Sequence, residues 1–103
     1  MRVTDLVRAA APELVLELAY LEGQPPSLED AAGRLAKGGA RSIRVVPLFF
    51  GRGGHLREDV PRRVAALATG FPGVAIDVVL PAGDDDAVQA ALAAYCLRAA
   101  RGD

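Results

Sequence analysis

Residues 42–50 constrain this chain more than any other segment. They form a near-continuous apolar run that stops at a glycine-rich stretch, Gly51, Arg52, Gly53, Gly54, with His55 at its lip. Nine residues bounded by glycines are short for a helix and right for a strand. A strand that is apolar on both faces predicts burial on both, as in a parallel sheet. Pro47 lies inside the run and cannot donate to a central ladder, so a bulge or a missing ladder bond is expected there. Ligands in open α/β sheets bind beyond the carboxyl ends of strands. The strand therefore delivers one titratable, metal-competent side chain to the rim of a cleft. His55 is the sole histidine of the chain.

The flanking sequence repeats the same logic. Val3, Leu6, Val7 and Ala10 define one face of a helix over 2–11, ended by Pro12. Residues 14–21 read as a strand with Glu17 as its charged interior position and Glu22 at its carboxyl end. Ser27 with Asp30 starts a helix that runs to about Lys37, and Gly38 and Gly39 stop it. A helix is expected over 56–69, with Pro61 in its first turns, where proline is tolerated. Residues 74–80 read as a third strand. Asp84 is placed as the cap of a last helix over 85–100, with Asp85 and Asp86 in its first turn. The order α-β-α-β-α-β-α predicts a parallel sheet with helices on both faces. The 103 residues are enough for one such domain.

Composition excludes several classes. A net charge of −1 with interspersed signs gives no nucleic-acid groove and no polybasic membrane anchor. No apolar run is long enough to span a bilayer. Charges occupy the N-terminal stretch where a signal peptide has its apolar core, so a cytoplasmic location is expected. A lone Cys96 forms no internal disulfide, suits a reducing compartment, and reads as a small buried hydrophobe of the last helix. The Gly51–Gly54 stretch lacks the lysine and Ser/Thr of a phosphate loop, and no motif implies a nucleotide or redox cofactor.

Glu22 and His55 occupy equivalent positions, each closing an apolar strand, roughly 30 residues apart as in a βαβ unit. Carboxylate plus neutral imidazole is a partial ligand set for cobalt, iron, nickel or zinc. Imidazole also titrates near neutrality and can accept a proton. Read from the residues alone, the pair divides between a metal site and two ordinary loop-end polar groups. Glu58 and Asp59 read as structural acids at a helix start. The aspartates at 84–86 read as capping rather than cation-binding residues.

Several stretches together resemble the sirohydrochlorin chelatases, the small CbiX-like cobaltochelatases and ferrochelatases. They are Leu18-Ala19-Tyr20-Leu21-Glu22, then Pro26-Ser27-Leu28, then Val45-Val46-Pro47-Leu48-Phe49, and finally Gly53-Gly54-His55 with Asp59-Val60-Pro61. The resemblance covers essentially the whole chain as a single chelatase-like domain, residues 1–103. It implies a flavodoxin-like chelatase half and insertion of a divalent metal into sirohydrochlorin or a related tetrapyrrole, toward cobalamin or sirohaem. The metal, Co2+ or Fe2+ with Ni2+ as a further option, is then a substrate. His55 and Glu22 become its ligands, with His55 accepting a pyrrole proton. Arg52, Gly53 and Gly54 become contacts for the macrocycle and its carboxylates, with Arg57 as a further candidate cation or an ordinary surface arginine.

One family segment has no counterpart among these residues: an apolar strand ending in Gly-His-Gly-Ser, whose histidine is a further ligand. That strand is central in the family sheet. Without it, two strands either pair directly or accept a strand from elsewhere. A strand encoded upstream of Met1, a homodimer that repairs the sheet and pools ligands, and a relative that no longer inserts metal are the three arrangements that fit. The alternatives in function are a non-catalytic tetrapyrrole- or metal-binding module and a subunit pairing with a fuller chelatase half.

Overall fold

In a computed structural model, residues 1–51 and 54–102 are described, with backbone alone for Gly54 and His55. The chain divides into two compact units, Met1–Arg41 and the remainder from Ser42 onward.

In the first unit, α1 spans Arg2–Ala10 and α2 spans Leu28–Lys37. The predicted apolar face of α1 is not buried: Val3, Leu6 and Val7 are exposed, and Thr4 is the buried residue, its hydroxyl donating to the Met1 carbonyl at 2.6 Å. Ser27 caps α2 as its spacing predicts, its Oγ accepting from the Asp30 N–H at 3.0 Å. Leu28, Ala31 and Ala32 form the buried stripe of α2 at helical spacing. Gly39 leaves the helix at φ +99, a conformation other residues adopt only with strain.

The strand expected over 14–21 does not form. The segment carries no ladder; Tyr20 makes an isolated parallel bridge to Ser27, and its N–H donates to the Pro26 carbonyl at 2.9 Å. A strand needs a neighbour, and this segment has none among the described residues. Val15 is 81% exposed. Side chains hold the segment instead: Arg8 donates to the Leu16 carbonyl at 3.1 Å, and Glu17 pairs with Arg34 at 3.1 Å.

In the second unit, β1 (Ser42–Val45) and β2 (Ala75–Val78) pair in parallel, Ile43 opposite Ile76 and Val45 opposite Val78. The parallel α/β architecture therefore stands, with two strands rather than three in the described sheet. The crossover is α3, Gly54–Gly70, which packs against β2. Val60, Val64 and Leu67 line one face of α3 at i, i+4, i+7 and are buried with Ile43 and Phe49. Pro61 lies two turns inside α3, because the helix begins at Gly54 and not at 56. Its missing N–H leaves the Arg57 carbonyl without a helical donor.

The run after β1 alternates strictly. Ile43, Pro47 and Phe49 are buried and Val45 is half-buried, while Arg44, Val46, Leu48 and Phe50 are exposed. Burial on both faces was the expectation; one face is buried. The odd-numbered residues also face β2 with their backbone groups: the carbonyls of Val45, Pro47 and Phe49 accept from Val79, Ala82 and Gly83 at 3.1, 2.8 and 3.0 Å. Pro47 is thus accommodated by using only its carbonyl, and the ladder ends at Val45 for want of its N–H. By strand alternation, the backbone groups of Arg44, Val46 and Leu48 point to the opposite edge. That edge has no strand beside it among the described residues.

After β2, a 3-10 turn, Ala82–Asp84, leads into α4, Asp86–Arg101. Asp85 rather than Asp84 is the cap, its Oδ2 accepting from the Val88 N–H at 3.1 Å, so Asp86 alone of the pair lies in the first turn. No residue of α4 is buried, and Cys96 is exposed instead of filling a core.

Candidate functional site

His55 enters through the backbone. The run that continues β1 carries the chain to Phe49 and Phe50, Gly51 has φ +58, and α3 begins at Gly54, which puts His55 in the first helical turn. The histidine was expected on the loop before the helix; it lies instead in the helix's first turn, which starts two residues earlier than the spacing suggested. Arg52 and Gly53 lie outside the described residues, as does the side chain of His55. Glu22 is exposed and lies in the first unit, next to Gly23 at φ +90. It belongs to the other compact unit from His55. Among the described residues no group of three or more His, Cys, Asp or Glu side chains is placed to hold a metal ion.

Arg57 has a partner. Its Nη1 and Nη2 donate to Asp84 Oδ2 and Oδ1 at 2.5 and 2.6 Å, a fork-to-fork pair that joins α3 to the 3-10 turn. Hydrogen bonding and attraction from Arg57 hold the Asp84 carboxyl below its ordinary pKa and raise that of the guanidinium in turn. Sequence reasoning placed Asp84 as a helix cap and did not connect it to Arg57. Three consecutive aspartates conceal which of them caps. Because α4 starts at Asp86 rather than 85, the residue directly before it is Asp85, and Asp84 is left for another partner.

Glu58 and Asp59 lie in the second turn of α3, not the first, because the helix starts earlier than predicted. Asp59 pairs with Arg62 at 2.9 Å and Arg63 at 3.6 Å, in keeping with a structural reading. Beneath the turn lies a cavity of about 30 Å³ whose lining includes Pro47, Phe49, Leu56, Val60 and Pro81. It has room for about one water molecule and none for a macrocycle.

The described elements make this a parallel α/β protein with a histidine in the first turn of the helix that follows β1. Comparison with known proteins then gives the family. The CbiX family model matches residues 1–99. Sirohydrochlorin ferrochelatase of Bacillus subtilis (strain 168) is 35% identical over 74 residues, covering 72% of this chain and 28% of that protein. Sirohydrochlorin cobaltochelatase of Sulfurisphaera tokodaii is 34% identical over 74 residues, covering 72% of this chain and 58% of that protein. The crystal structure of a putative cobalamin (vitamin B12) biosynthesis CbiX protein from Marinobacter aquaeolei VT8 superposes with a TM-score of 0.71 at 28% identity, over 99% of this chain and 88% of that one. The chain belongs to the CbiX-like sirohydrochlorin chelatase family. It spans less than two thirds of either of the two chelatases just named.

Proposed function

We propose that this chain inserts a divalent metal, Co2+ or Fe2+ with Ni2+ as a further option, into sirohydrochlorin or a related tetrapyrrole. The observation that carries the reading is the Gly-Gly-His sequence at the corner between the β1 run and α3, in a chain matched over residues 1–99 by the CbiX family. In this reading His55 and Glu22 ligate the incoming metal, which is a substrate. Insertion of a divalent metal releases two pyrrole protons: as the metal passes to the macrocycle, the imidazole nitrogen it vacates at His55 takes one, and the other leaves to water. Arg52 and the backbone N–H groups of Gly53 and Gly54 receive the macrocycle's carboxylates. Arg57, committed to Asp84, is not assigned to that role. No nucleotide or redox cofactor takes part.

We place the reaction in the cytoplasm, in a single domain working as a homodimer. Support for self-association comes from the second edge of β1. Unpaired strand edges are costly and are usually covered. No helix of the described residues is long and apolar enough to cross a membrane.

The test is incubation with sirohydrochlorin and Co2+ or Fe2+, followed by absorbance. Turnover above the protein-free rate, strongly reduced in His55→Ala, is expected; a rate equal to the control removes the enzyme. A second reading is a tetrapyrrole- or metal-binding module without turnover, motivated by the family's Gly-His-Gly-Ser segment having no counterpart among these residues. It is recognised by a stoichiometric spectral shift of the macrocycle with no metal insertion. A subunit of a fuller chelatase half would instead co-purify with it.

A further inference from the structure

We infer that Asp84 is a positioning residue for the helix turn that carries His55, acting through Arg57, with the 3-10 turn fastened both to the run that ends at Phe50 and to α3. The inference rests on the chelatase reading of His55 and adds residues to it.

On the strand side, the turn is fastened to the segment that enters the loop. Ala82 N–H donates to the Pro47 carbonyl at 2.8 Å and Gly83 N–H to the Phe49 carbonyl at 3.0 Å. Contact there is so close that a Cβ on Gly83 would lie 2.8 Å from Phe50 Cα. On the helix side, Asp84 takes both forks of Arg57, two residues beyond His55 and on the same helix. The turn is anchored in its own right: Gln89 of α4 donates to the Gly83 carbonyl at 3.0 Å, and Asp85 caps α4. Two adjacent residues, Gly83 and Asp84, therefore tie the run that ends at Phe50 to the helix that carries His55.

A bidentate guanidinium–carboxylate pair specifies orientation as well as distance. Its side chains are 43% and 27% exposed, so its contribution to global stability is small. The value of such a pair lies in geometry, because reactive side chains tolerate little misplacement. Arg44 and Asp77 provide the internal control. They form a similar two-bond pair at 3.1 Å across β1 and β2, and they do not fasten the turn to α3.

The experiment compares Arg57→Gln, Asp84→Asn, the exchange Arg57→Asp with Asp84→Arg, and Arg44→Gln as control. Three readouts are taken on the full chain: steady-state cobalt insertion into sirohydrochlorin, Co2+ titration of the His55 imidazole by NMR, and amide hydrogen exchange over residues 54–58. Both single variants should lower kcat roughly tenfold or more with KM for the tetrapyrrole little changed. They should also weaken Co2+ binding at His55 and speed exchange in the first turn of α3. The exchanged pair should recover a substantial part of each, and Arg44→Gln should match the parent. A rise in KM alone that the exchanged pair does not rescue makes Arg57 a substrate contact and overturns the inference. Single variants that match Arg44→Gln in all three readouts also overturn it. Absence of insertion in the parent removes the chelatase reading; Co2+ binding and hydrogen exchange then decide the positioning role by the same pattern.

Discussion

Replacing Gly83 by alanine tests how tightly the 3-10 turn is held. The added methyl carbon would meet Phe50 Cα at 2.8 Å and the Phe49 carbonyl oxygen at 3.0 Å, where ordinary contact begins near 3.4 Å. Both obstacles are backbone, so neither can swing aside as a side-chain tip would. Relief requires the turn to withdraw by roughly half an ångström. The two backbone bonds from Ala82 and Gly83 to the β1 run then stretch or break. Each contributes about 1 kcal/mol net, and overpacking by itself costs about 1–3 kcal/mol. A loss of about 2–3 kcal/mol is expected in urea unfolding, a drop in midpoint temperature of roughly 10 °C or more for a domain of this size. Gly70→Ala is the matched control. It closes α3 with nothing within 4 Å of its added carbon, so better helix propensity should stabilise it by up to about 1 kcal/mol. A Gly83→Ala protein as stable as its parent would refute the close approach on which this reasoning stands.

Three further outcomes are expected. Val60→Ala removes two carbons from a side chain 2% exposed, and at about 0.8 kcal/mol per buried carbon plus a cavity term it should lose roughly 2–3 kcal/mol in denaturant unfolding. Asp85→Ala should lose about 1 kcal/mol and fray the start of α4 in amide exchange, whereas a loss confined to Asp84→Ala would reverse the capping assignment. Hydrogen bonds from Arg44 and Arg57 hold Asp77 and Asp84 below the ordinary carboxyl pKa of 3.8. Folding favours their ionised forms, so the contribution is complete above that value and is lost as pH falls through the lower folded values. Unfolding midpoints should therefore decline below about pH 4, and less steeply in an Asp77→Asn, Asp84→Asn protein.

What could be read from sequence depended on whether a feature is set locally. Ser27 caps α2 because its hydroxyl and the Asp30 N–H are three residues apart, and the helices follow from spacing of the same kind. Pairing of β1 with β2 was legible because both are short apolar runs separated by a helix. Residues 14–21 carry an equally good strand pattern and make no ladder, since a strand exists only beside another. Face burial is equally non-local: apolar patterning in residues 42–50 and in α1 marks a face but does not supply the layer that would cover it. At the site, the approach to His55 was legible from Phe50, the glycines and the helix that follows, though His55 itself falls inside the helix. Asp84 was not, because its partner lies 27 residues away in sequence and nothing in a triple aspartate identifies which member reaches a distant arginine.

The alternation around Pro47 has a consequence for handling the protein. Prolines commonly act as guards on sheet edges by removing a donor that another chain would use. Here the proline spends that property on the side facing β2, and the donors at Arg44, Val46 and Leu48 on the far side are intact. Arg44 is the charged residue of those three, and its charge is already matched by Asp77. An edge bearing exposed Val46 and Leu48 with no uncompensated charge has little to repel a like edge. Concentrated solutions should therefore be prone to ribbon-like association, and a lysine in place of Val46 is the simplest way to restore a guard.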